Sequence, residues 1–363
     1  MNSLKTCPTI PSGGSPSGSV AVQRLSPLED SQWDTKLASL AEATCFHTAA
    51  WARVLHDTYG YSPCCFAITR PDGFQSLLPL MGVSSFLTGK RGVSLPFTDC
   101  CDPLCASGED ERLLLDAAIR HAEELSWRYV EFRGGKGIPP SAPATVRYFA
   151  HRLSLQSGED AVWSDLSGAA RRAVRKARDE GVIVSTGRDD TAIREFYRLH
   201  CLTRKRLGVP PQPTAFFSNI RHHLLDHNLA TIFLASHHGR TIAAAIFLHF
   251  GNSVMFKYGS SDPAFQHLRP NNLLMWEAIR RFAAEGRHDF HLGRNEIDNP
   301  GLRRYKLAWG ATENELAYYR YCPAQKGFVS GRNPQQHWHH IAFRHIPVSV
   351  SRIIGTLVYP HMA

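Results

Sequence analysis

The sequence predicts an α/β (α+β) protein built from two duplicated units, each a mixed sheet flanked by helices. Two observations carry this prediction. The order hairpin, helix, strand occurs twice along the chain, and the two helix–strand segments align without a gap at an offset of 160 residues. A length of 363 residues agrees with it, because that length exceeds one ordinary domain and fits two domains with cores of their own.

The first unit opens with an amphipathic pattern over residues 42–59, which predicts a helix. Apolar runs at 64–69 and 74–83 flank a Pro-Asp-Gly turn and predict a hairpin. A second helical pattern covers 109–125, and an apolar strand follows at 129–133. These segments complete one set of hairpin, helix and strand.

The second unit repeats the order. Apolar runs at 231–236 and 241–250 flank a His-Gly turn, and a further strand is predicted at 254–258. A helical pattern over 271–285 and a strand at 289–292 follow. Two amphipathic helices can resemble each other by chance, but the repeated order of hairpin, helix and strand makes chance a poor explanation. We therefore expect two units that arose by duplication and then diverged.

Identical helix positions support the duplication. The pairs are Leu113/Leu273, Leu114/Leu274, Ala118/Ala278, Ile119/Ile279 and Arg120/Arg280. The apolar strand positions Val130 and Phe132 also fall on Phe290 and Leu292. The same offset therefore relates a helix and the strand after it.

Four segments are expected along the chain. Residues 1–24 are rich in Ser, Gly and Pro and predict a disordered tail. The first unit is assigned to 25–160 and the second, catalytic unit to 161–321. Residues 322–363 form a basic C-terminal tail with an amphipathic helix. A basic stretch at 164–181, which ends in a glycine, predicts a helix that opens the second unit.

Composition excludes several classes of protein. With 43% hydrophobic and 20% charged residues, the chain is not disordered throughout. Its longest apolar run, 241–250, is about half the length that spans a bilayer, which argues against an integral membrane protein. Nine cysteines, an odd count without a secretory signal, predict a reduced cytoplasmic compartment.

The net charge of +9 is concentrated locally. Residues 322–363 contain no acid and contribute +4, and five of the eight residues at 171–178 are basic. This distribution argues against general binding of nucleic acid, and no DNA partner is expected. It points to a local anionic substrate or surface that the basic helix would bind. The alternative is that the helix is a solvated face.

Familiar catalytic and metal motifs do not occur. Cys100, Cys101 and Cys105 have no second pair of ligands to complete a zinc site. No nucleophile elbow, P-loop, zincin or dinucleotide fingerprint occurs, and the glycines at 134–137 predict a plain loop. We expect no metal and no tightly bound cofactor.

The segment DFHLGRNEIDNPGLRRYKLAWG, residues 289–310, carries the clearest signal. It predicts a strand, a polar loop and a short helix that returns Tyr305, Lys306 and Trp309. This pattern resembles the FemABX peptidoglycan-bridge transferases and their acyltransferase relatives in the GNAT superfamily. Tyr305 stands where phenylalanine is commoner in that family.

Other stretches agree in order along the chain. Residues 95–104 are similar to the family's first-domain segment, 167–181 to its basic helix, and 202–208 to its Thr/Arg/Gly segment. Residues 258–271 resemble the strand, loop and helix before the last unit. The resemblance covers roughly 45–320 and implies tandem GNAT-like domains.

The resemblance implies N-acyl or aminoacyl transfer, in which an amine attacks the activated carbonyl of a thioester or a tRNA ester. The reaction needs a neutral amine, aligned reactants and a stabilised oxyanion. The resemblance implies a functional lysine at Lys306, and its ammonium suits the oxyanion; otherwise it is a solvated helix residue. Asp99 would hold or deprotonate the amine, or is a turn aspartate before Cys100.

Seven residues are predicted to bind substrates: Arg204, Arg206, Tyr258, Arg269, Asn271, Arg294 and Tyr305. Arg204 and Arg206 would clamp phosphate or carboxylate groups, or mark an exposed helix end. Arg294 ends a strand that faces the predicted cleft, and Tyr258 borders that cleft or only packs. Arg269 precedes a helix N-terminus, where anions bind.

Two donors stay open, an acyl-CoA or similar thioester and an aminoacyl-tRNA. Residues 266–272 lack the glycines of an ordinary CoA loop. The expected acceptor is a small-molecule or lipid-linked amine of cell-envelope or peptidoglycan metabolism. The alternative from another class is a catalytically silent module that binds an anionic envelope precursor or RNA.

The C-terminal helix is predicted to begin at Pro347. Its apolar stripe consists of Val350, Ile353, Ile354, Leu357 and Val358. Such a helix lies on the anionic inner face of a membrane, or docks on the protein's own surface.

Overall fold

The computed structural model describes residues 21–71, 73–331 and 343–362. Within them the strands form one sheet of three strands and one mixed sheet of twelve. In chain order the strands are β1 Gln23–Leu25, β2 Ser62–Pro63, β3 Cys65–Arg70, β4 Gly73–Leu78, β5 Met81–Ser85, β6 Gly89–Val93, β7 Val130–Arg133, β8 Val146–Ser154, β9 Ile183–Gly187, β10 Ala230–His237, β11 Arg240–Phe250, β12 Ser253–Ser261, β13 Asp289–Glu296, β14 Thr312–Cys322 and β15 Gly327–Val329. The helices are α1 Trp33–Leu37, α2 Ala49–Tyr59, α3 Gly108–Glu124, α4 Gly158–Asp165, α5 Gly168–Asp179, α6 Asp190–Leu207, α7 Thr214–Ile220 with a π-helical continuation at Arg221–Leu225, α8 Pro270–Ala284, α9 Pro300–Leu307 and α10 Val348–Val358.

Side-chain caps decide where the helices begin. Helix α2 starts at Ala49, seven residues later than predicted, because the Thr48 hydroxyl accepts a hydrogen bond from the Trp51 amide at 3.2 Å. The basic stretch 164–181 divides between α4 and α5, since the Ser167 hydroxyl caps the second helix through the Ala170 amide. The predicted helices are otherwise confirmed to within a residue or two at their ends.

The first hairpin differs from its prediction. Strands β3 and β4 pair as expected, but the strand predicted over 74–83 is interrupted at Pro79. Proline has no amide hydrogen to continue the ladder, so β4 ends in the small sheet and β5 begins in the large one. Residue 72 of the predicted turn lies outside the described residues.

The small sheet also takes in part of the predicted tail. Gln23 and Arg24, assigned to the tail from the sequence, are the first residues of β1 and pair with Ala67 and Phe66. The rest of that predicted tail, residues 1–20, lies outside the described residues. The first unit therefore begins at least as early as residue 23.

The large sheet confirms the duplication. Its order is β2-β5-β6-β7-β14-β8-β13-β12-β11-β10-β9, with β15 beside β14. Two neighbouring pairs are parallel, β6 with β7 and β12 with β13. Val130 pairs with Gly92 in one, and Phe290 pairs with Val254 in the other. The offset of 160 residues thus matches equivalent positions of two mixed α/β units.

The two units exchange strands. Strand β8 leaves the first unit to pair with β13 of the second, and β14 leaves the second to pair with β7 of the first. The exchanged strands also pair with each other, antiparallel, at the centre of the sheet. One continuous sheet therefore runs through both units, and neither exchanged strand was predicted from the sequence.

Part of the core is shared between the two units. One large buried cluster joins Trp51 and Val93 of the first unit to Phe196 and Ile246 of the second. The two units therefore share this cluster at their boundary, where α2 packs against α7. Two further clusters, around Leu114 and around Trp33, belong mainly to the first unit. Another cluster, around Trp276 and beneath α8, belongs mainly to the second unit.

The parallel pair β12 and β13 opens the site. Ladder pairing between them extends only from Ser253/Asp289 to Met255/His291. Beyond these residues both strands continue without ladder pairing between them, and we call this unpaired stretch the gap. Among the described residues, no helix is both long and apolar enough to cross a bilayer.

Candidate active site

Lys306 lies at the gap between β12 and β13. Helix α9 carries it, and the Asn299 side chain caps that helix by accepting from the Leu302 amide at 3.1 Å. The lysine is 4% exposed, and its Nζ donates to the Gly293 carbonyl oxygen at 2.8 Å. Burial lowers the pKa of Lys306 to about 8, with a further lowering from Arg294 and an opposing effect of Asp99. The lysine is therefore a buried group rather than a solvated helix residue.

Asp99 reaches the same gap from the first unit. Its Oδ1 lies 3.4 Å from the Nζ of Lys257, an ion pair whose lysine side chain is only 7% exposed. Burial alone would raise the pKa of Asp99, but Lys257, Arg294 and Lys306 together lower it below its ordinary value. The carboxylate is held ionised among three cations.

Sequence reasoning missed Lys257. It sits on β12 between two aromatic residues, and its Nζ lies 5.3 Å from the Phe46 ring centroid and 5.4 Å from that of Tyr258. Burial lowers the pKa of Lys257, while the neighbouring Asp99 raises it. A charged residue inside an otherwise apolar strand was the available signal.

Arg294 completes a group that we call the charged cluster: Asp99, Lys257, Arg294 and Lys306. Its guanidinium lies 4.3 Å from the Tyr148 ring centroid and 5.0 Å from that of Tyr318. It also donates to the Tyr318 hydroxyl, and that hydroxyl donates to the backbone oxygen of Asp99. Tyr318 comes from the exchanged strand β14, so both units build the cluster.

The charged cluster has a formal charge of +2, from three cations and one carboxylate. Low-dielectric surroundings strengthen such a field, because little water screens it. The cluster therefore favours an anionic group, including one that develops during a reaction. It disfavours a second ammonium at the same place.

A groove borders the cluster and contains four of the predicted binding residues. One cavity of about 610 Å³ is lined by Arg206, Arg269, Asn271 and Tyr305, among others. An adjoining cavity of about 460 Å³ shares Arg269 and Tyr305 with it and continues along the basic helix α5. We call the two together the long groove. Tyr305 and Lys306 are consecutive residues of α9, so this helix contributes a side chain to the groove and another to the cluster.

The N-terminus of α8 faces the long groove. Asn271 donates from Nδ2 to the Ser261 hydroxyl at 3.2 Å, and Gln266 donates to the same oxygen at 2.9 Å. Arg269, with a left-handed φ of 58°, precedes Pro270 at the first helical position. A helix N-terminus with an exposed arginine beside it attracts anions, although the proline removes one amide donor.

Two predicted residues lie elsewhere. Arg204 donates from Nη2 to the Tyr359 hydroxyl at 2.6 Å and from Nε to the Pro210 oxygen at 3.2 Å. Tyr258 packs on Phe216 and Phe217, and burial raises its pKa well above the ordinary value. Arg204 thus holds the C-terminal segment, and Tyr258 forms an aromatic wall behind Lys257.

The described residues contain no group of three or more cysteine, histidine, aspartate or glutamate side chains placed to hold a metal ion. The chemistry available to the described site comes from its cations, its carboxylate and the groove.

Residues 165–307 match the family model described as "Acetyltransferase (GNAT) domain". The second unit is a GNAT domain. The match includes Lys257, Arg294 and Lys306 of the charged cluster and most of the long groove. Asp99 lies outside the GNAT domain and is contributed by the first unit. None of the curated proteins compared with the chain matches it.

Solved structures extend the similarity beyond the GNAT domain. The chain is similar to a structure titled "Crystal structure of FemX", with a TM-score of 0.63 and 14% identity over 82% of this chain and 96% of that chain. It is similar to the C-terminal domain of a putative lysylphosphatidylglycerol synthetase from Agrobacterium fabrum, with a TM-score of 0.55 and 11% identity over 92% and 97%. A tandem GNAT protein from the clavulanic acid biosynthesis pathway gives 0.52 and 12% over 84% and 99%.

These likenesses confirm the tandem GNAT fold, in which the GNAT domain of residues 165–307 follows a diverged first copy. The family match of residues 165–307, rather than these likenesses, supports an acyltransferase. The identities of 11–14% show the fold alone and assign no substrate.

Proposed function

We propose that the protein transfers an acyl or aminoacyl group from an activated donor to an amine, at the gap between β12 and β13. The observation that carries this proposal is Lys306, a buried cation of the charged cluster on the same helix that lines the long groove through Tyr305. A donor in the groove would place its carbonyl beside this lysine. The basic lining of the groove suits the phosphates of such a donor.

The cluster meets two needs of the reaction. The amine nitrogen bonds to the donor carbonyl carbon, and the carbonyl oxygen becomes an oxyanion. A protonated Lys306 stabilises that oxyanion where little water competes. The intermediate then expels a thiolate or a ribose oxygen, which takes up a proton, while the new amide nitrogen loses one. Lys306, with its pKa near 8, can supply the proton to the leaving group, and its neutral amine then takes up the proton that the amide nitrogen loses.

The field of the cluster also favours the reactive form of the acceptor. A net positive site lowers the pKa of an incoming amine, so that the amine binds neutral and carries its lone pair. Asp99 has a lowered pKa and is a weak proton acceptor. We therefore assign Asp99 to holding Lys257, Arg294 and Lys306 in place, rather than to deprotonating the amine.

The donor is an acyl-CoA or similar thioester, or an aminoacyl-tRNA. The continuation of the groove along α5, lined by Arg172 and Lys176, favours a long polyanion. The acceptor is a small-molecule or lipid-linked amine in cell-envelope or peptidoglycan-related metabolism. The name lysylphosphatidylglycerol synthetase indicates a lipid product for that protein, which supports the lipid-linked form of this proposal. We place the reaction in the cytoplasm, peripheral to the inner face of the membrane.

A two-stage experiment tests this function. Thermal-shift screening of the purified protein against acyl-CoAs, aminoacyl-tRNAs and UDP-muramyl precursors first finds a ligand, and mass spectrometry then detects transfer. Lys306→Ala is expected to keep donor binding and lose transfer. Undiminished transfer by this variant would overturn the catalytic assignment, and binding without transfer by the unmodified protein would favour the silent binding module.

A further inference from the structure

Two distant segments of the chain expose large apolar side chains at one place. Phe86 and Leu87, at the tip of the hairpin between β5 and β6, are 87% and 65% exposed. Ile353 and Leu357 of helix α10 are 63% and 66% exposed, and Met362 is 54% exposed. We call these five residues the apolar patch. Single exposed apolar residues are ordinary, but a contiguous group marks an interaction site.

Direct contacts hold the two segments together. The Phe86 ring lies 4.7 Å from the ring of His361, and the Ser85 hydroxyl is 2.9 Å from His361 Nδ1. Arg91 donates to the backbone oxygen of His361 at 2.9 Å. Positions 353 and 357 are spaced by four residues and lie on the same side of α10, and His361 belongs to the short 3-10 turn that follows the helix. The hairpin tip therefore continues the exposed stripe of α10.

Helix α10 turns its small residues inward and its large apolar residues outward. Ser351 is buried, and a Cβ added to Gly355 would lie 2.0 Å from the Pro211 oxygen. Tyr359, just after the helix, is 4% exposed and accepts the bond from Arg204. The helix is thus docked through its small face. Its large apolar residues are left exposed. Docking on the protein's own surface, one of the two sequence-based alternatives for this helix, accounts for its small face only.

The charge of both segments identifies a partner for the apolar patch. No aspartate or glutamate occurs in residues 73–98, which include the hairpin tip, or in 316–363, which include α10. The same segments carry Lys90, Arg344 and Arg352. Apolar side chains on an acid-free, basic background are the composition that binds the interface of an anionic bilayer.

We propose that the apolar patch docks the protein on an anionic lipid bilayer, with the hairpin tip and α10 inserted together at the level of the headgroups. This inference rests on the proposed function in one respect only: docking on the membrane would bring a lipid-linked acceptor to the site. Tyr359 and Arg204 connect α10 to the second unit, so that the docked helix fixes the orientation of the GNAT domain to the membrane.

Vesicle co-sedimentation tests the proposal. The unmodified protein is expected to sediment with vesicles of equal parts phosphatidylcholine and phosphatidylglycerol, to do so less at high salt, and not to sediment with phosphatidylcholine alone. The double variants Phe86→Ser/Leu87→Ser and Ile353→Ser/Leu357→Ser should each lower the partition coefficient about tenfold or more. Ile183→Ser, a 68% exposed residue on the edge strand β9, is the matched control and should bind like the unmodified protein.

Other results overturn the proposal. They are no sedimentation of the unmodified protein, equal sedimentation with neutral vesicles, or unchanged sedimentation of both double variants. Light scattering that shows a dimer of the unmodified protein and monomers of both double variants would assign the patch to self-association instead. The double variants should transfer the acyl group to a water-soluble amine as fast as the unmodified protein does. A failure of membrane docking is therefore distinguishable from a failure of the catalytic role of Lys306.

Discussion

The Nζ of Lys306 donates to the carbonyl oxygen of Gly293 at 2.8 Å, which ties helix α9 to the middle of strand β13. One of the three ammonium hydrogens is used in this bond. The other two remain for a substrate oxygen, because no further hydrogen bond of this nitrogen occurs among the described residues.

Lys306→Met should reduce kcat by a factor of hundreds. Removing one oxyanion stabiliser costs about 3–4 kcal/mol of transition-state stabilisation. The donor KM should change little, because the groove residues are untouched. Steady-state kinetics of transfer measures both constants. Lys326→Met, at an exposed lysine in the turn before β15, is the control and should leave kcat unchanged. A similar loss in both variants would contradict a specific role for Lys306.

The activity should decline at alkaline pH through the titration of Lys306. Its pKa of about 8 means that the oxyanion loses its cation as pH rises past that value. Between about 8 and 10.5 the unfolded state binds more protons at this lysine than the folded state, so the same titration raises stability while it lowers activity. A kcat profile against pH should show this alkaline limb. The limb should be missing in Lys306→Met, and its persistence there would assign it to another group.

Asp99→Asn should destabilise the protein and shift the alkaline limb to lower pH. Without the carboxylate, three cations remain close together, and the pKa of Lys306 falls because Asp99 no longer raises it. Loss of one partner of a largely buried pair costs about 3 kcal/mol. Urea denaturation measures this cost. The double variant Asp99→Asn/Lys257→Met removes both partners and should recover part of the lost stability. An additive loss in the double variant would mean that the two residues do not interact.

Gly293→Ala should cost both stability and activity. Gly293 has a φ of +71°, and a Cβ there would lie 3.2 Å from Asp99 Oδ2. Gly286 has a φ of +73° with nothing within 4 Å of such a Cβ, and it serves as the matched control. Both alanine variants should lose about 1–2 kcal/mol from the left-handed backbone. Only Gly293→Ala should also lower kcat. Equal kcat values in the two variants would show that the position of Asp99 tolerates this displacement.

Arg172→Ala/Lys176→Ala should raise the donor KM without changing kcat. Both residues line the far part of the long groove, remote from the charged cluster. Loss of two phosphate contacts reduces the slope of log affinity against log salt by about two if the donor is a tRNA. Arg178→Ala is the control on the same helix, because Arg178 pairs with Glu277 at 2.9 Å. An unchanged KM and salt slope in the double variant would place the donor elsewhere.

The sequence predicted those parts of the fold that depend on local patterns. Hairpins and amphipathic helices follow from local spacing, and the duplication follows from comparing two such segments at an offset of 160 residues. The structure agrees at Val130 and Phe290. The exchanged strands carry no such local signal. Val146 pairs with Tyr318, and that choice of partner depends on the folded sheet rather than on either strand alone.

The site was predicted where a motif marked it and missed where geometry alone decides. Lys306 belongs to a recognisable segment, and the structure places it beside Asp99 and Arg294. Their catalytic roles stay predictions. Lys257 has no motif, since its importance comes from a carboxylate 158 positions away in the chain. The spacing of residues along the chain does not show which side chains of the two units come into contact.

The exchange of β8 and β14 also bears on the origin and dissection of the protein. Two copies of a single-unit ancestor that swapped their last strands would give the same pattern as a domain-swapped dimer, and joining the copies would then make the swap permanent. A cut at residue 156, between β8 and α4, would divide the chain into two fragments. Each fragment would hold the strand that completes the sheet of the other. Such fragments should be insoluble alone and recover the fold when expressed together, as the two parts of a split protein.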